Sequence, residues 1–109
     1  MKLNILDIGG KVVKDDEKYV VKDNSMLNNL VVSSTDLKPG KSTSGHTHLG
    51  QEEVYHFVRG SGMMKVDEEV FPVKEGDLIL IEDGKFHQVV NNSKDNCYFV
   101  CVFDGSRNH

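Results

Sequence analysis

Short runs of alternating hydrophobic and polar residues extend through the chain, and turn residues such as glycine and asparagine separate them. This pattern predicts strands at residues 3–8, 18–22, 27–35, 53–58, 63–66, 78–81 and 97–103. β-Branched and aromatic residues dominate these runs, and no helix-capping signal precedes a helical period. Many short strands with closely spaced turns indicate an all-β sandwich or barrel.

The faces of the predicted strands bear on assembly. At residues 53–58, Glu53, Tyr55 and Phe57 share one face, the opposite face is also partly apolar, and residues 78–81 are apolar on both faces. Antiparallel strands with one face in water should alternate between apolar and polar residues. These strands have too many apolar residues for that pattern, so we expect the outer face of one sheet to be covered by an N-terminal strand or by a second copy of the chain. An uncovered apolar face would be an association site, and a homodimer is the resulting hypothesis.

Length and charge narrow the class of protein. The chain has 109 residues, which predicts one domain over residues 1–109. The net charge is −4 and no basic stripe is present, so we expect no nucleic-acid partner. No apolar run is long enough for a signal peptide or a membrane span, which predicts a cytoplasmic protein without a membrane partner.

Cys97 and Cys101 lie four residues apart on one predicted strand, too far for easy bridging, so both thiols should be reduced.

Two histidines separated by one residue are the first sign of a metal site. His46 and His48 would point to the same face of an extended chain, and Glu52 and Glu53 follow closely. Either carboxylate could join the two imidazoles around a metal ion. Histidine and carboxylate ligands suit one divalent transition metal (Fe, Mn, Ni, Co, Cu or Zn), and they argue against a thiolate site or an all-oxygen magnesium site.

The spacing of these residues forms two motifs. The first, residues 40–60, reads Gly40, five residues, His46, one residue, His48, four residues, Glu53, six residues and Gly60. The second, residues 76–91, reads Gly76, five residues, Glu82, one residue, Gly84, two residues, His87, three residues and Asn91. These intervals resemble the two motifs of the cupin superfamily, which usually has proline at the position of Glu82. The departure affects the turn only, because proline there presets a backbone angle and binds nothing.

The resemblance implies a small single-domain jelly-roll (cupin) β-barrel. It also implies that His46, His48, Glu53 and His87 point inward to one divalent metal, and the family spacing favours Glu53 over Glu52. The mouth of a barrel is a common place for a small-molecule ligand, so a small-molecule partner is expected.

Catalytic residues are not identified by the sequence, but three side chains are candidates for the cavity wall. Tyr55 and Phe57 share a face with Glu53, and plain barrel core is the alternative for both. Cys101 lies on the final strand, which in a small cupin packs near the metal.

A cupin site with three histidines, one carboxylate and open positions suits two kinds of enzyme. It can polarise a carbonyl or hydroxyl compound such as a sugar for isomerase-type proton transfer, or bind dioxygen when the metal is Fe or Mn. Residues 53–64 resemble the strand pair of cupin-type phosphoglucose isomerases, which need basic residues for phosphate; Lys41, Lys65, Lys85 and Arg59 are the nearby ones. We expect the isomerase-type enzyme first, a dioxygenase as an alternative, and a non-catalytic sugar- or metabolite-binding cupin as a further alternative.

Overall fold

Nine strands build the fold in the computed structural model, which describes residues 1–47 and 49–105. They are β1 (Lys11–Asp15), β2 (Tyr19–Asn24), β3 (Leu30–Leu37), β4 (Glu53–Arg59), β5 (Ser61–Val66), β6 (Glu69–Lys74), β7 (Leu78–Ile81), β8 (His87–Val90) and β9 (Cys97–Asp104). No helix occurs within these described residues, so the all-β prediction is confirmed. It follows that no described helix is long and apolar enough to cross a membrane.

The strands form two antiparallel sheets whose order differs from the chain order. A six-stranded sheet has the order β1-β2-β3-β9-β4-β7, and a three-stranded sheet has the order β6-β5-β8. The last strand, β9, lies between β3 and β4 and pairs with both. Distant parts of the chain are therefore neighbours, as expected for a jelly roll.

The core lies between the inner faces of the two sheets. Its fully buried side chains include Leu37, Phe57, Met64, Val89 and Phe99. The rings of Phe57 and Phe99 lie 5.1 Å apart between their centroids, a favourable separation for an aromatic pair. The predicted alternation of β4 is confirmed, because its inward positions are buried and its outward positions are not.

The structure differs from the predicted strands at the N-terminus. Residues 3–8 form no strand; an isolated bridge joins Asn4 and Asp7 instead. This segment is nevertheless tied to the large sheet, because the Tyr98 hydroxyl donates to the Ile5 carbonyl at 2.8 Å. Three strands were not predicted: β1 is largely exposed, β6 contains Pro72, which an edge strand tolerates, and β8 has only four residues.

An apolar area remains exposed on the outer face of the six-stranded sheet. Leu78 and Leu80 on the edge strand β7 are 63% and 73% exposed, and Val54 on the adjacent strand is 39% exposed. The N-terminal segment therefore leaves this part of the face uncovered. That a second copy of the chain covers it stays a prediction.

Candidate metal centre

Backbone hydrogen bonds bring the two sequence motifs side by side. The N–H of His46 donates to the carbonyl of His87 at 3.2 Å, and the N–H of His87 donates to the carbonyl of His46 at 3.0 Å. Further along the same pair of segments, the N–H of Thr43 donates to the carbonyl of Val89 at 2.9 Å. The first residue of β8 is His87, so this ladder fixes it opposite His46.

Glu53 begins β4 and completes a compact cluster with these two histidines. One potential ligand atom from each of His46, Glu53 and His87 lies within 4.8 Å of the others. The Glu53 Oε1 atom is 3.3 Å from His87 Nε2 and 3.8 Å from His46 Nε2. The two imidazoles meet edge-to-face, with ring centroids 4.3 Å apart. Two imidazoles and a carboxylate at these separations could hold a divalent metal ion.

The environment of His87 fits a metal ligand. Its side chain is 3% exposed, and its Nδ1 lies 3.0 Å from the carbonyl oxygen of Lys85, which can only accept. Nδ1 therefore carries the proton in the neutral ring, and Nε2 presents its lone pair to the cluster. Nε2 is buried and has no hydrogen-bond partner among the described residues. A histidine anchored by one nitrogen to a carbonyl, with the other nitrogen directed at a carboxylate, is the usual arrangement around a bound metal.

Polar contacts within and beside the cluster shift the pKa of two of its members. Burial raises the pKa of Glu53, but the imidazoles of His87 and His46 outweigh burial and lower this pKa to about 2. Burial lowers the pKa of His87, but Glu53 and the Lys85 carbonyl outweigh burial and raise it above 6.5. Glu53 is therefore a carboxylate throughout the physiological range, as a metal ligand must be.

The other ligand candidates are placed differently. Of the two adjacent glutamates, Glu53 is buried in the cluster and Glu52 is exposed. His48 lies outside the described residues, so its role as the fourth ligand stays a prediction. His56 lies on the outward face of β4, away from the cluster.

A cavity of about 420 Å³ opens beside the cluster. His46 and Glu53 line it, and so do two of the three predicted wall residues, Tyr55 and Cys101. Phe57 does not line this cavity: it is fully buried in the core, two residues farther along β4, so the alternative reading as barrel core describes it.

The floor of the cavity is neutral. Tyr55 and Cys101 stand opposite each other on β4 and β9, and burial raises the pKa of both groups well above their ordinary values. Neither the phenol nor the thiol ionises near neutral pH. Cys97 and Cys101 are both free and buried, as expected for reduced thiols.

The polar walls of the cavity were not identified from the sequence. They include the side chains of Lys14, Tyr19, Ser33, Thr35 and Ser44. The alternation of residues 30–37 carries the one available signal, since the inward Ser33 and Thr35 are polar where a core strand would be apolar.

The basic residues considered near the two motifs do not contribute to these walls. Lys41, Lys65, Lys85 and Arg59 are absent from the described lining of this cavity. Lys14, which comes from β1, supplies a positive charge there instead.

Comparison with known proteins agrees with this arrangement. A family model described as "Cupin domain" matches residues 33–103, which include the His46–Glu53–His87 cluster. An uncharacterized protein of Methanocaldococcus jannaschii is 29% identical over 96 residues, covering 74% of this chain and 77% of that protein. An oxalate-binding protein of Thermotoga maritima is 30% identical over 66 residues, covering 61% of this chain and 54% of that protein.

Solved structures place the fold in the same group. An uncharacterized conserved protein of Klebsiella pneumoniae with a double-stranded β-helix domain superposes with a TM-score of 0.80 and 19% identity, covering 90% of this chain and 86% of that one. The fold seen here is thus shared with a protein of very different sequence. Since the family model spans more than half of the chain and includes both motifs, the protein is a member of the cupin family.

Proposed function

We propose that the protein is a metal-dependent cupin that binds and transforms a small oxygen-rich compound at a divalent transition metal. His46, Glu53 and His87 hold the metal, and His48 is proposed as the fourth ligand. The observation that carries the proposal is the buried Nε2 of His87, which faces Glu53 at 3.3 Å and has no hydrogen-bond partner among the described residues. In the neutral ring this buried nitrogen has only a lone pair facing a carboxylate, which costs free energy unless a ligand such as a metal uses it.

The chemistry of the site follows from its ligands and its walls. When bound, a divalent metal with open positions acts as a Lewis acid toward carboxylate, carbonyl or hydroxyl oxygens. The hydroxyl groups of Ser33, Thr35 and Ser44 and the side chain of Lys14 line the cavity and suit such an oxygen-rich ligand. Tyr55 and Cys101 stay neutral and add no charge to this lining.

Two observations bear on the class of ligand. The similarity to an oxalate-binding protein supports a carboxylate as the group that reaches the metal. The absence of Lys41, Lys65, Lys85 and Arg59 from the described lining weakens the case for a phosphorylated sugar. We therefore propose a small acid or hydroxy-carbonyl compound as the substrate, and a free sugar remains compatible with the hydroxyl-lined walls.

The reaction has two proposed branches, and each leaves a different mark. Proton transfer next to a carbonyl, as in isomerisation, should incorporate solvent deuterium into the product without consuming oxygen. A dioxygenase should consume oxygen only when Fe or Mn is present. A non-catalytic binding protein should do neither while still binding the ligand.

Metal content is the first test of this proposal. Protein purified without chelator should carry about one transition-metal ion per chain by elemental analysis. The His87→Ala variant should lose the metal, whereas His56→Ala, which changes a histidine on the outward face of β4, should keep it. Wild-type protein that neither contains nor takes up metal would end the proposal.

The expected partners follow the same lines. A small molecule is the proposed ligand, a second copy of the chain is the proposed protein partner, and no nucleic acid or membrane is proposed. Two free buried thiols suit a reducing compartment, and we propose a cytoplasmic location.

A further inference from the structure

A β-bulge directs Lys14 into the cavity. On β1, Val12 pairs with Lys22 of β2, but the next paired residue is Lys14, which stands opposite Val21. The extra residue, Val13, shifts the alternation by one position. Paired residues of antiparallel strands share a face, and Val21 lines the cavity, so Lys14 faces it too. In a regular strand Lys14 would share the outer face with Val12.

The ammonium group of Lys14 is held in place by a buried tyrosine. Its Nζ donates to the Tyr19 hydroxyl at 3.0 Å and lies 4.5 Å from the centroid of the Tyr19 ring. Asp16 is 3.7 Å away and contributes a weaker, exposed ion pair. Tyr19 is 6% exposed, and its hydroxyl also accepts from the backbone N–H of Ser44 at 3.4 Å.

The Tyr19 side chain ties this lysine to the neighbourhood of the metal cluster. Its hydroxyl lies 3.3 Å from Ser44 Oγ, and Ser44 precedes His46 by two residues. The Cα atoms of Ser44 and His46 are therefore at most about 7 Å apart. Lys14, His46 and Glu53 line the same cavity, so one small molecule can reach both the ammonium group and the cluster. The hydrogen bond with Tyr19 raises the pKa of Lys14, which keeps the group charged.

The balance of charge favours an acidic ligand. Among the described side chains that line the cavity, Asp23 and Glu53 are acidic, and Lys14 is the one lysine. Asp23 is engaged by the Ser33 hydroxyl at 2.6 Å. A divalent cation would compensate the two lining carboxylates, so the charge of Lys14, which Asp16 offsets only through an exposed pair at 3.7 Å, would leave the lining of the cavity positive.

We propose that Lys14, positioned by Tyr19, binds a second acidic group of the ligand whose first oxygen groups bind the metal. This inference rests on the proposed function and narrows its substrate class to small diacids with a chelating oxo or hydroxy acid at one end. The cavity of about 420 Å³ lies within the range of about 300–1,000 Å³ for small-molecule sites. It leaves room for a chain of several carbons between the two acidic ends.

Matched pairs of acids test this subsite in the cobalt-loaded full chain. Malate, 2-oxoglutarate and 2-oxoadipate each carry a distal carboxylate, whereas 2-hydroxybutyrate, 2-oxopentanoate and 2-oxohexanoate have the same carbon chains without it. Titration calorimetry measures each affinity, and the visible spectrum of cobalt reports whether the acid reaches the metal. At least one diacid should bind about five- to tenfold more tightly than its partner.

Variants assign that preference to Lys14. Lys14→Met keeps the aliphatic stem and should reduce the affinity for the diacid to that of the monoacid. Tyr19→Phe keeps the ring but removes the hydroxyl that holds the ammonium group, so it should reduce the preference by about half. Lys22→Met, which changes a lysine paired with Val12 on the outer face and outside the described lining of the cavity, should leave the preference unchanged.

The outcomes separate this inference from the proposed function. If the cobalt protein binds both members of every pair equally, or if Lys14→Met weakens monoacids and diacids alike, the subsite is wrong and the metal-dependent function stands. If the protein binds metal but none of these acids, the diacid class is wrong. Failure to bind cobalt at all would refute the proposed function itself.

Discussion

Nε2 of His87 lies 3.3 Å from Oε1 of Glu53, in a buried position where no described residue gives it a hydrogen bond. On the other side of the ring, the Lys85 carbonyl holds Nδ1 at 3.0 Å. The backbone therefore fixes the ring so that its free nitrogen points at a carboxylate. This geometry explains why a single metal ion would engage the buried nitrogen and the carboxylate together.

Removing the carboxylate should weaken metal binding strongly. Glu53→Gln keeps the size of the side chain but removes the charge, and we expect the metal affinity to fall by more than about a hundredfold, beyond the range for residues outside the ligand shell. Glu52→Gln is the matched control, because Glu52 is exposed and adjacent in sequence. Competition with a chromophoric chelator measures both affinities. Equal affinities for the two variants would contradict the assignment of Glu53.

Protons should compete with the metal for His87. The pKa of His87 in the metal-free protein is raised above 6.5, so Nε2 takes up a proton as the pH falls toward and below neutrality. Metal affinity should then decrease by up to about tenfold per pH unit for each proton displaced. Calorimetric titration with Co²⁺ between about pH 5 and about pH 8 checks this, with buffers of different ionisation enthalpy to count the protons. An affinity that does not change with pH would exclude His87 as a ligand.

The free energy of unfolding of the metal-free protein should depend on pH in the opposite sense to metal affinity: it should decrease as the pH rises on the basic side. The raised pKa of His87 contributes stability that is present below pH 6.5 and is lost as the pH rises through the folded-state value. The lowered pKa of Glu53 contributes stability that is present above pH 4.5 and is lost as the pH falls toward about 2. Urea unfolding of chelated protein should therefore give its highest free energy between these limits. His87→Gln should remove the decrease on the basic side.

The sequence predicted the parts of the fold in which each strand has one buried face. β4 is the clearest case, because Glu53, Tyr55 and Phe57 share its inward face as predicted. The prediction failed for three strands: β1 is mostly exposed, β6 contains Pro72, which argues against a strand unless the strand is known to lie at an edge, and β8 is only four residues long. Residues 3–8 are apolar enough for a strand, yet the Asn4–Asp7 turn folds them back.

The candidate site was predictable to the extent that it follows from spacing. The two motifs placed His46, Glu53 and His87 in one site, and the structure brings these three together. Lys14 was not predictable, because its direction depends on a bulge at Val13 that leaves no mark in the alternation of residues 11–15. Which residues line a cavity depends on such local shifts of register, and a single sequence does not reveal them.

Asn91, the last residue of the second motif, should prove structural. Its side chain is fully buried, donates to the Leu37 carbonyl at 2.9 Å and the Asp95 carbonyl at 2.8 Å, and accepts from the Ser93 backbone at 3.0 Å. Asn91→Ala leaves these groups unpaired, so the free energy of unfolding should fall by about 2–4 kcal/mol. Asn92→Ala, at an exposed neighbour, should change it by less than about 0.5 kcal/mol. Asn91→Ala protein that folds should still bind metal, and selective loss of metal would contradict the structural role.

The exposed face of β4 and β7 should join two copies of the chain. Leu78, Leu80 and Val54 form an apolar area at the edge of the six-stranded sheet, and burying such an area against its own copy would stabilise a symmetric dimer. Leu80→Glu places a charge at the most exposed of these positions and should convert the dimer to a monomer in sedimentation experiments. Val70→Glu is the control, because Val70 is 60% exposed on β6 in the other sheet and should leave the dimer intact. A wild-type protein that sediments as a monomer at micromolar concentration would refute the dimer, and dissociation by both variants would show that the interface is elsewhere.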